Sequence, residues 1–213
     1  AELAALRAAM TVSGPFSAEG GPAGRRALAN ACLALQTRLD GGEAARAAFA
    51  AATNMTDRLA ALVALIDIGA GAEALAAFEA EWKADRLVMD KWFMVQVVHA
   101  PPGDLAATVE RLTARADFNM DNPNRFRAVF GALAANHAGF HHADGAAYAL
   151  LADWLLRLDA RNPQTAARMS TAFETWRRYD SGRQALIRAA LSRMAATPGL
   201  SRDLSEMTAR MLG

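Results

Sequence analysis

The chain has 213 residues, of which 53% are hydrophobic and 21% are charged, and its 23 basic residues nearly balance its 22 acidic ones. This composition is typical of a globular protein and excludes a disordered chain. The formal net charge of +1 gives no electrostatic basis for binding nucleic acid or an anionic membrane.

A single cysteine, Cys32, excludes an intrachain disulfide and a multi-cysteine zinc site. Its place among leucines at helical spacing predicts an inert, buried thiol. No apolar run approaches the roughly 18 residues that span a bilayer, and the N-terminus does not resemble a signal peptide. We therefore expect a cytoplasmic protein. Because the chain begins inside a helical pattern, we also expect it to be a fragment of a longer polypeptide.

Helical periodicity, interrupted by glycine and proline, organises the first hundred residues. The predicted helices cover residues 2–10, 22–39, 43–51, 55–68, 72–83 and 87–99. In the second of these, Leu28, Cys32, Leu35 and Leu39 share one helix face, which predicts that this face is buried. The helix at 87–99 is apolar almost all round, which predicts a central position.

The remaining predicted helices cover residues 104–115, a segment starting at Pro123, and residues 144–159, 163–178, 183–194 and 201–212. In two places an asparagine precedes a proline at the start of a helix, at Asn122-Pro123 and at Asn162-Pro163. Each asparagine is expected to cap its helix, as is Asn54. Ser181, followed three residues later by Gln184, predicts a capping box.

No segment shows the alternation of a β-strand, so the sequence predicts an all-α fold. Short connections make consecutive helices antiparallel neighbours, and the two Asn-Pro starts lie about forty residues apart. These features favour a superhelical stack of antiparallel helix pairs, an armadillo- or HEAT-like α-solenoid, over a closed bundle.

Histidines provide the one group of residues that suggests a metal. His137 and His141 are four residues apart, and His142 and Asp144 follow. Gly139 lies between them, and the preceding helix is expected to end there. Hydrogen-bonded or solvated loop histidines are therefore the preferred interpretation. Motifs of zinc peptidases, serine hydrolases and phosphate-binding loops are absent from the sequence.

Arginines offer a second kind of site. Arg125 and Arg127 follow one Asn-Pro start, and Arg168 follows the other. If successive repeats stack in register, Arg125 and Arg168 would face one concave surface, where guanidinium groups suit peptide carboxylates or carbonyls. Alternatively, each arginine forms a local salt bridge or faces water.

Several blocks follow one another in the order found in a known family. They are Gly24–Leu28, Met89–Phe93, Phe118–Arg127, Phe140–Tyr148, Asn162–Arg168 and Trp176–Asp180. Together they resemble the C-terminal region of the bacterial aminopeptidase N family of zinc metallopeptidases. The resemblance covers nearly the whole chain.

This resemblance implies that residues 1–213 are a single helical C-terminal domain from a larger zinc aminopeptidase. In that family, another domain carries the zinc ligands and the general base and removes N-terminal residues from peptides. The resemblance therefore implies no cofactor and no peptidase activity in this chain alone, and zinc in the parent enzyme. The expected partners are the N-terminal and catalytic domains of the same polypeptide and the peptide substrates.

The resemblance also implies that the domain covers the active-site chamber, limits access to small peptides and lends side chains to its wall. Arg125 and Arg168 are the candidates for that wall, and Asn122 and Arg127 are expected to support the loop beside them. The alternative function is a stand-alone helical-repeat scaffold that binds a protein partner through its concave face.

Overall fold

The computed structural model describes all 213 residues, and every regular element is helical. The α-helices are α1 Glu2–Ala9, α2 Gly20–Asp40, α3 Glu43–Ala51, α4 Met55–Asp67, α5 Ala72–Trp82, α6 Arg86–Val98, α7 Leu105–Thr113, α8 Pro123–Ala135, α9 His137–Phe140, α10 Ala146–Asp159, α11 Pro163–Ser170, α12 Ser181–Ala195 and α13 Arg202–Leu212. Short 3₁₀ helices occupy Pro102–Asp104, Thr171–Phe173 and Trp176–Arg178. The predicted all-α class is confirmed.

Residues 1–92 form one compact unit. Within it, α2 packs against α1, α3 and α4, and α4 also packs against α3 and α5. Small and large apolar side chains fill the space between these helices. The buried residues include Cys32, Leu33, Ala45, Phe49, Ala61, Leu62, Leu65 and Phe78. The prediction of a buried Cys32 is confirmed.

Residues 93–213 form a second compact unit. Within it, α10 contacts both α11 and α12, and α13 contacts both α11 and α12. Contact with the next helix and with the one after it is the pattern of stacked helix pairs. The core contains two groups of buried rings, one of Phe126 and Phe130 and one of Phe140, Tyr148 and Phe173.

Helix α6 is buried on one part of its surface and exposed on another. Met89, Trp92, Phe93, Val95 and Val97 are all buried. This burial agrees with the apolar character of its sequence, although Leu87 and Met94 are exposed. No helix in the chain combines the length and the apolar character that crossing a membrane requires.

Three asparagine caps confirm the predicted helix starts. The side-chain oxygen of Asn54 accepts a hydrogen bond from the backbone N–H of Asp57 at 3.0 Å. Asn162 accepts one from Thr165 at 3.0 Å, and Asn122 accepts one from Asn124 at 3.1 Å. Each side chain satisfies a backbone donor that has no partner within its own helix.

The predicted helix over residues 163–178 is wrong in its extent, because α11 ends at Ser170 and 3₁₀ turns follow. The Ser170 hydroxyl donates to the Ala167 carbonyl at 2.7 Å, and the Thr171 hydroxyl donates to the Arg168 carbonyl at 2.8 Å. Both carbonyls lie in the last turn of α11. These hydroxyls give them local partners, which favours ending the α-helical ladder there.

The capping box predicted from Ser181 and Gln184 is also wrong. Asp180 caps α12, because its carboxylate accepts from the backbone N–H of Arg183 at 3.1 Å. The same carboxylate pairs with the Arg183 guanidinium at 2.7 Å. Gln184 instead donates its amide to the Tyr179 carbonyl at 2.7 Å. The carboxylate of Asp180 thus caps the helix in place of the predicted Ser181, because a charged acceptor forms the stronger hydrogen bond.

The predicted buried face of α2 is wrong for its leucines. Leu28, Leu35 and Leu39 have exposed fractions of 42%, 51% and 81%. The buried positions include Arg26, Leu33 and Thr37, which recur with the same helical spacing on another side of α2. Thr37 is tolerated there because its hydroxyl donates to the Leu33 carbonyl at 2.7 Å, and Arg26 donates to the Ser17 carbonyl.

A buried asparagine provides a test of this packing. The Asn136 side-chain amide donates to the carbonyls of Val97 and Ala100 at 3.0 and 2.9 Å, and its oxygen accepts from Gly139 N–H at 3.1 Å. Asn136→Ala leaves these buried groups without partners, so we expect the free energy of unfolding to fall by about 2–3 kcal/mol. Urea denaturation followed by circular dichroism measures the change. The exposed Asn124→Ala is the matched control, and an equal loss in both variants would contradict this role.

Candidate functional site

Two arginines that approach the same phenylalanine hold the loop before α8. The Arg125 guanidinium carbon lies 4.2 Å from the ring centroid of Phe93, and its Nη1 donates to the Asp117 carbonyl at 2.8 Å. The Arg115 guanidinium carbon lies 5.8 Å from the same centroid. Arg115 also donates to both carboxylate oxygens of Asp117, at 2.8 and 3.0 Å. This pair of hydrogen bonds holds the pKa of Asp117 below its usual value.

The side chain of Arg125 is buried, with only 4% of its residue surface exposed. A guanidinium in contact with an aromatic face and a backbone carbonyl stabilises the geometry of the chain around it. Its neighbours differ in exposure. Asn122 is half-buried and caps α8, and Arg127 is exposed and donates to the Asn124 side chain at 3.0 Å.

The two Asn-Pro helix starts lie next to each other. Arg161, immediately before Asn162, donates through Nη1 to both carboxylate oxygens of Asp121, at 2.7 and 2.6 Å. A cavity of about 140 Å³ lies between the starts, lined by Met120, Asp121, Pro123, Phe126, Leu158, Arg161, Asn162 and Thr165. The structure therefore brings together the two segments that the sequence identified as equivalent.

The two predicted arginines differ in their surroundings. Arg168 is exposed on α11, whereas Arg125 is buried under α8 and holds the Asp117 carbonyl. In this chain the two guanidinium groups are not presented on one exposed surface. Their shared role toward a peptide stays a prediction.

A histidine and two tyrosines form a cluster beside α9. The Nδ1 of His141 lies 2.8 Å from the Tyr148 hydroxyl, and its Nε2 lies 2.7 Å from the Tyr179 hydroxyl. Both ring nitrogens therefore have partners. Since a tyrosine hydroxyl can donate or accept, one neutral imidazole satisfies both. The backbone carbonyl of His141 also accepts from Arg183 Nε.

Burial dominates the electrostatics of this cluster. It lowers the pKa of His141 to about 4, with additional electrostatic contributions from His137 and Arg183. Burial also raises the pKa of Tyr148 to about 12. Both groups are therefore neutral near pH 7. The cluster ties the start of α10 to the segment before α12 by hydrogen bonds between uncharged groups.

The three histidines considered as metal ligands are not brought together as a site. The rings of His137 and His141 stack with centroids 6.4 Å apart. His142 Nδ1 lies 3.0 Å from the Asp144 carboxylate. No group of three or more histidine, cysteine or acidic side chains is arranged to hold a metal ion.

The sequence contained only part of the signal for this cluster. Tyr148 lies only seven residues after His141, across the short loop that joins α9 to α10. Tyr179 lies 38 residues after His141, and no local pattern connects them. Its contribution depends on the packing of α10 and of the 3₁₀ turn at Trp176–Arg178.

A family described as a domain of unknown function with ARM repeats, DUF3458_C, matches residues 1–213. The chain belongs to this family. Because ARM repeats are stacked helical units, the predicted armadillo-like architecture is confirmed.

Aminopeptidase N is similar to this chain in several bacteria. The protein of Caulobacter vibrioides is 42% identical over 214 residues, which cover 98% of this chain and 25% of that protein. The protein of Escherichia coli is 37% identical over 195 residues, which cover 88% of this chain and 22% of that protein. The chain thus spans about a quarter of the length of these relatives. The resemblance to the C-terminal helical region of aminopeptidase N is confirmed.

A solved structure agrees with this relationship. The crystal structure of Legionella pneumophila aminopeptidase A in complex with aspartic acid matches with a TM-score of 0.89 and 28% sequence identity. The match covers 99% of this chain and 26% of that one. The same helical region therefore recurs within a longer aminopeptidase chain.

The depressed pKa of His141 predicts a pH-dependent stability. In the unfolded chain this histidine takes up a proton near the ordinary histidine pKa of 6.5, whereas in the folded chain it stays neutral until about pH 4. Stability is therefore fully present above pH 6.5 and declines as the pH falls toward 4. The uptake of one proton changes the free energy of unfolding by at most about 1.4 kcal/mol per pH unit. Partial solvent exposure of His141 makes the change smaller.

Urea unfolding midpoints measured between pH 4 and pH 7.5 test this prediction. His141→Gln keeps hydrogen-bonding groups but does not titrate, so we expect a shallower slope across this range. His142→Gln removes a neighbouring histidine that is outside the tyrosine pair and serves as the matched control. Parallel curves for the His141→Gln variant and the unmodified chain would show that His141 does not cause the dependence.

Proposed function

We propose that residues 1–213 form the non-catalytic C-terminal domain of a zinc aminopeptidase that removes N-terminal residues from peptides. In this proposal the domain covers the active-site chamber and helps to control the access and positioning of peptides. The zinc ion, its ligands and the general base lie in another domain of the same cytoplasmic polypeptide. The chain itself performs no bond cleavage.

One observation carries this proposal. The match to aminopeptidase N extends over 98% of this chain but only 25% of the Caulobacter vibrioides protein. A region that aligns along its whole length with one quarter of a longer enzyme is expected to serve that enzyme as a domain. The catalytic residues would then belong to the remaining three quarters.

The exposed leucines on α2 support an association with further polypeptide. Leu28, Leu35 and Leu39 lie on one helix face, and all three are exposed in this chain. Exposed leucines that share one face of a helix are typical of a surface that another protein segment covers. The same face would suit the partner of a stand-alone scaffold, so an experiment on activity has to distinguish the two functions.

Arg125 and Arg168 have different roles in this proposal. Arg125 acts through the loop of Asp117, whose carbonyl it holds while in contact with Phe93. Arg168 is exposed and can offer its guanidinium directly to the carboxylate or a carbonyl of a peptide. Neither group takes part in bond cleavage, so both are expected to affect the positioning of the peptide.

Removal of the domain tests the proposed function. The longer polypeptide that contains this chain is compared with a version that lacks the 213 residues, using chromogenic aminoacyl substrates and tripeptides. We expect the shortened enzyme to lose at least about tenfold in kcat/KM for tripeptides, because peptide positioning contributes directly to transition-state binding. The 213-residue chain with added zinc is expected to hydrolyse neither substrate.

Two results would contradict the proposal. Hydrolysis by the 213-residue chain alone would show that it contains a catalytic site. Unchanged kinetics of the correctly folded, shortened enzyme on every peptide length would favour the scaffold function. Analytical ultracentrifugation and circular dichroism verify that the shortened enzyme remains folded and unaggregated.

Substitution of the arginines tests peptide positioning. In the longer enzyme, we expect Arg125→Ala and Arg168→Ala each to raise KM for tripeptides more than they lower kcat. Loss of one charge-assisted contact corresponds to roughly a tenfold increase. Arg38→Ala, which removes an exposed arginine of α2, is the control. Unchanged kinetics for both variants on tripeptides and tetrapeptides would remove the arginines from this role.

A further inference from the structure

A cavity of about 620 Å³ lies within the first compact unit. It is bounded by α1, the loop that follows it, α2 and the segment that joins α3 to α4. Two arginines, Arg7 and Arg26, line it together with apolar side chains that include Met10, Val12 and Phe16. None of these residues belongs to the region around Arg125.

Arg26 is the unusual member of the lining. Only 7% of its residue surface is exposed, and its guanidinium carbon lies 4.4 Å from the centroid of the Phe16 ring. Its Nη2 donates to the Ser17 carbonyl, but its buried Nε has no acceptor. A buried cation with incomplete hydrogen bonding and no carboxylate partner is costly, so the site favours an added anion.

No carboxylate forms an ion pair with either arginine of the cavity. None of the ion pairs in the structure includes Arg7 or Arg26. The acidic residue of the lining, Asp57, is already engaged, because its oxygens accept from the Asn30 and Asn54 amides at 2.9 and 2.7 Å. Two arginines and one aspartate give the lining a formal net charge of +1, and the aspartate pairs with neither arginine.

The shape and chemistry of the lining indicate the class of ligand. A guanidinium group presents parallel N–H donors that match the two oxygens of a carboxylate. The adjoining surface is supplied by Met10, Val12, Phe16 and Ala48. A concave site that combines a few charged and polar groups with apolar side chains is typical of a site for a small organic ligand.

We propose that this cavity binds a carboxylate attached to a small apolar group, with Arg7 and Arg26 as its cationic partners. The carboxylate belongs either to a free small molecule or to an acidic or C-terminal residue of the longer polypeptide. Arg26 holds the ligand through the accessible edge of its guanidinium, and Arg7 closes the ion pair from α1. This inference concerns residues 7–57 and does not depend on the proposed peptidase role.

Titration with N-acetyl-L-alanine tests the proposal on the 213-residue chain. This probe carries a free carboxylate and a methyl side chain, and it lacks the N-terminal amine of an aminopeptidase substrate. N-acetyl-L-alaninamide has nearly the same shape but no charge. We expect the carboxylate to bind at least about tenfold more tightly, the difference expected for charged hydrogen bonds. Chemical-shift changes in NMR spectra should include Phe16 and Asn30.

Arginine variants locate the site. We expect Arg7→Gln and Arg26→Lys each to weaken binding of N-acetyl-L-alanine by about fivefold or more. Arg26→Lys keeps the charge but loses the planar fork, and Arg7→Gln changes a half-buried residue whose loss is less disruptive to folding. Arg25→Gln, which alters the exposed residue beside Arg26, is the matched control and should bind normally. Thermal unfolding verifies that each variant is folded.

The same titration on the longer polypeptide identifies the source of the carboxylate. Binding by both proteins assigns the site to a free ligand. Binding by the 213-residue chain alone assigns it to a carboxylate of the polypeptide itself, which then occupies the cavity. Equal affinity for the amide, normal binding by a folded Arg7→Gln variant, or no binding to either protein at tens of millimolar would overturn the proposal.

Discussion

The contact between the Arg125 guanidinium and the face of Phe93 fixes the most irregular part of the second unit. From this position Arg125 also holds the Asp117 carbonyl, so the loop before α8 has a buried anchor instead of a surface one. Other residues of the loop make further contacts with neighbouring parts of the chain. Phe118 packs edge-on against Trp154 at 5.4 Å, and Asp121 pairs with Arg161. One buried cation thereby sets the geometry at which two successive Asn-Pro helix starts meet.

The helix boundaries could largely be predicted because they depend on local chemistry. Asn54, Asn122 and Asn162 cap helices through contacts within three residues, so the sequence alone contains the signal. The end of α11 could not be predicted in the same way. Ser170 and Thr171 are compatible with a helix, and their hydroxyl-to-carbonyl contacts also occur inside helices, so these residues do not mark a helix end in the sequence.

In the candidate site, too, the sequence predicts what depends on neighbouring residues and not what depends on residues distant in the chain. The types and positions of Arg125 and Arg168 were evident from the sequence, but their burial was not, since it depends on Phe93 and on neighbouring helices. His141 illustrates the difference most clearly. The sequence favoured a hydrogen-bonded or solvated loop histidine over a metal ligand, but it could not identify the partner of Nε2, a tyrosine 38 residues away. Only the resemblance to a family connected these residues with peptides.

The exposed leucines of α2 have a thermodynamic consequence for the chain as a whole. Leu28, Leu35 and Leu39 contribute little to folding while they face water, although complete burial of one leucine side chain stabilises a protein by about 1.5–3 kcal/mol. Any surface that covers this face binds the folded helix and not the unfolded chain, so its binding energy adds to the stability of the fold. Association and folding are therefore linked equilibria in this domain, and a substitution on this face would change both without altering the core.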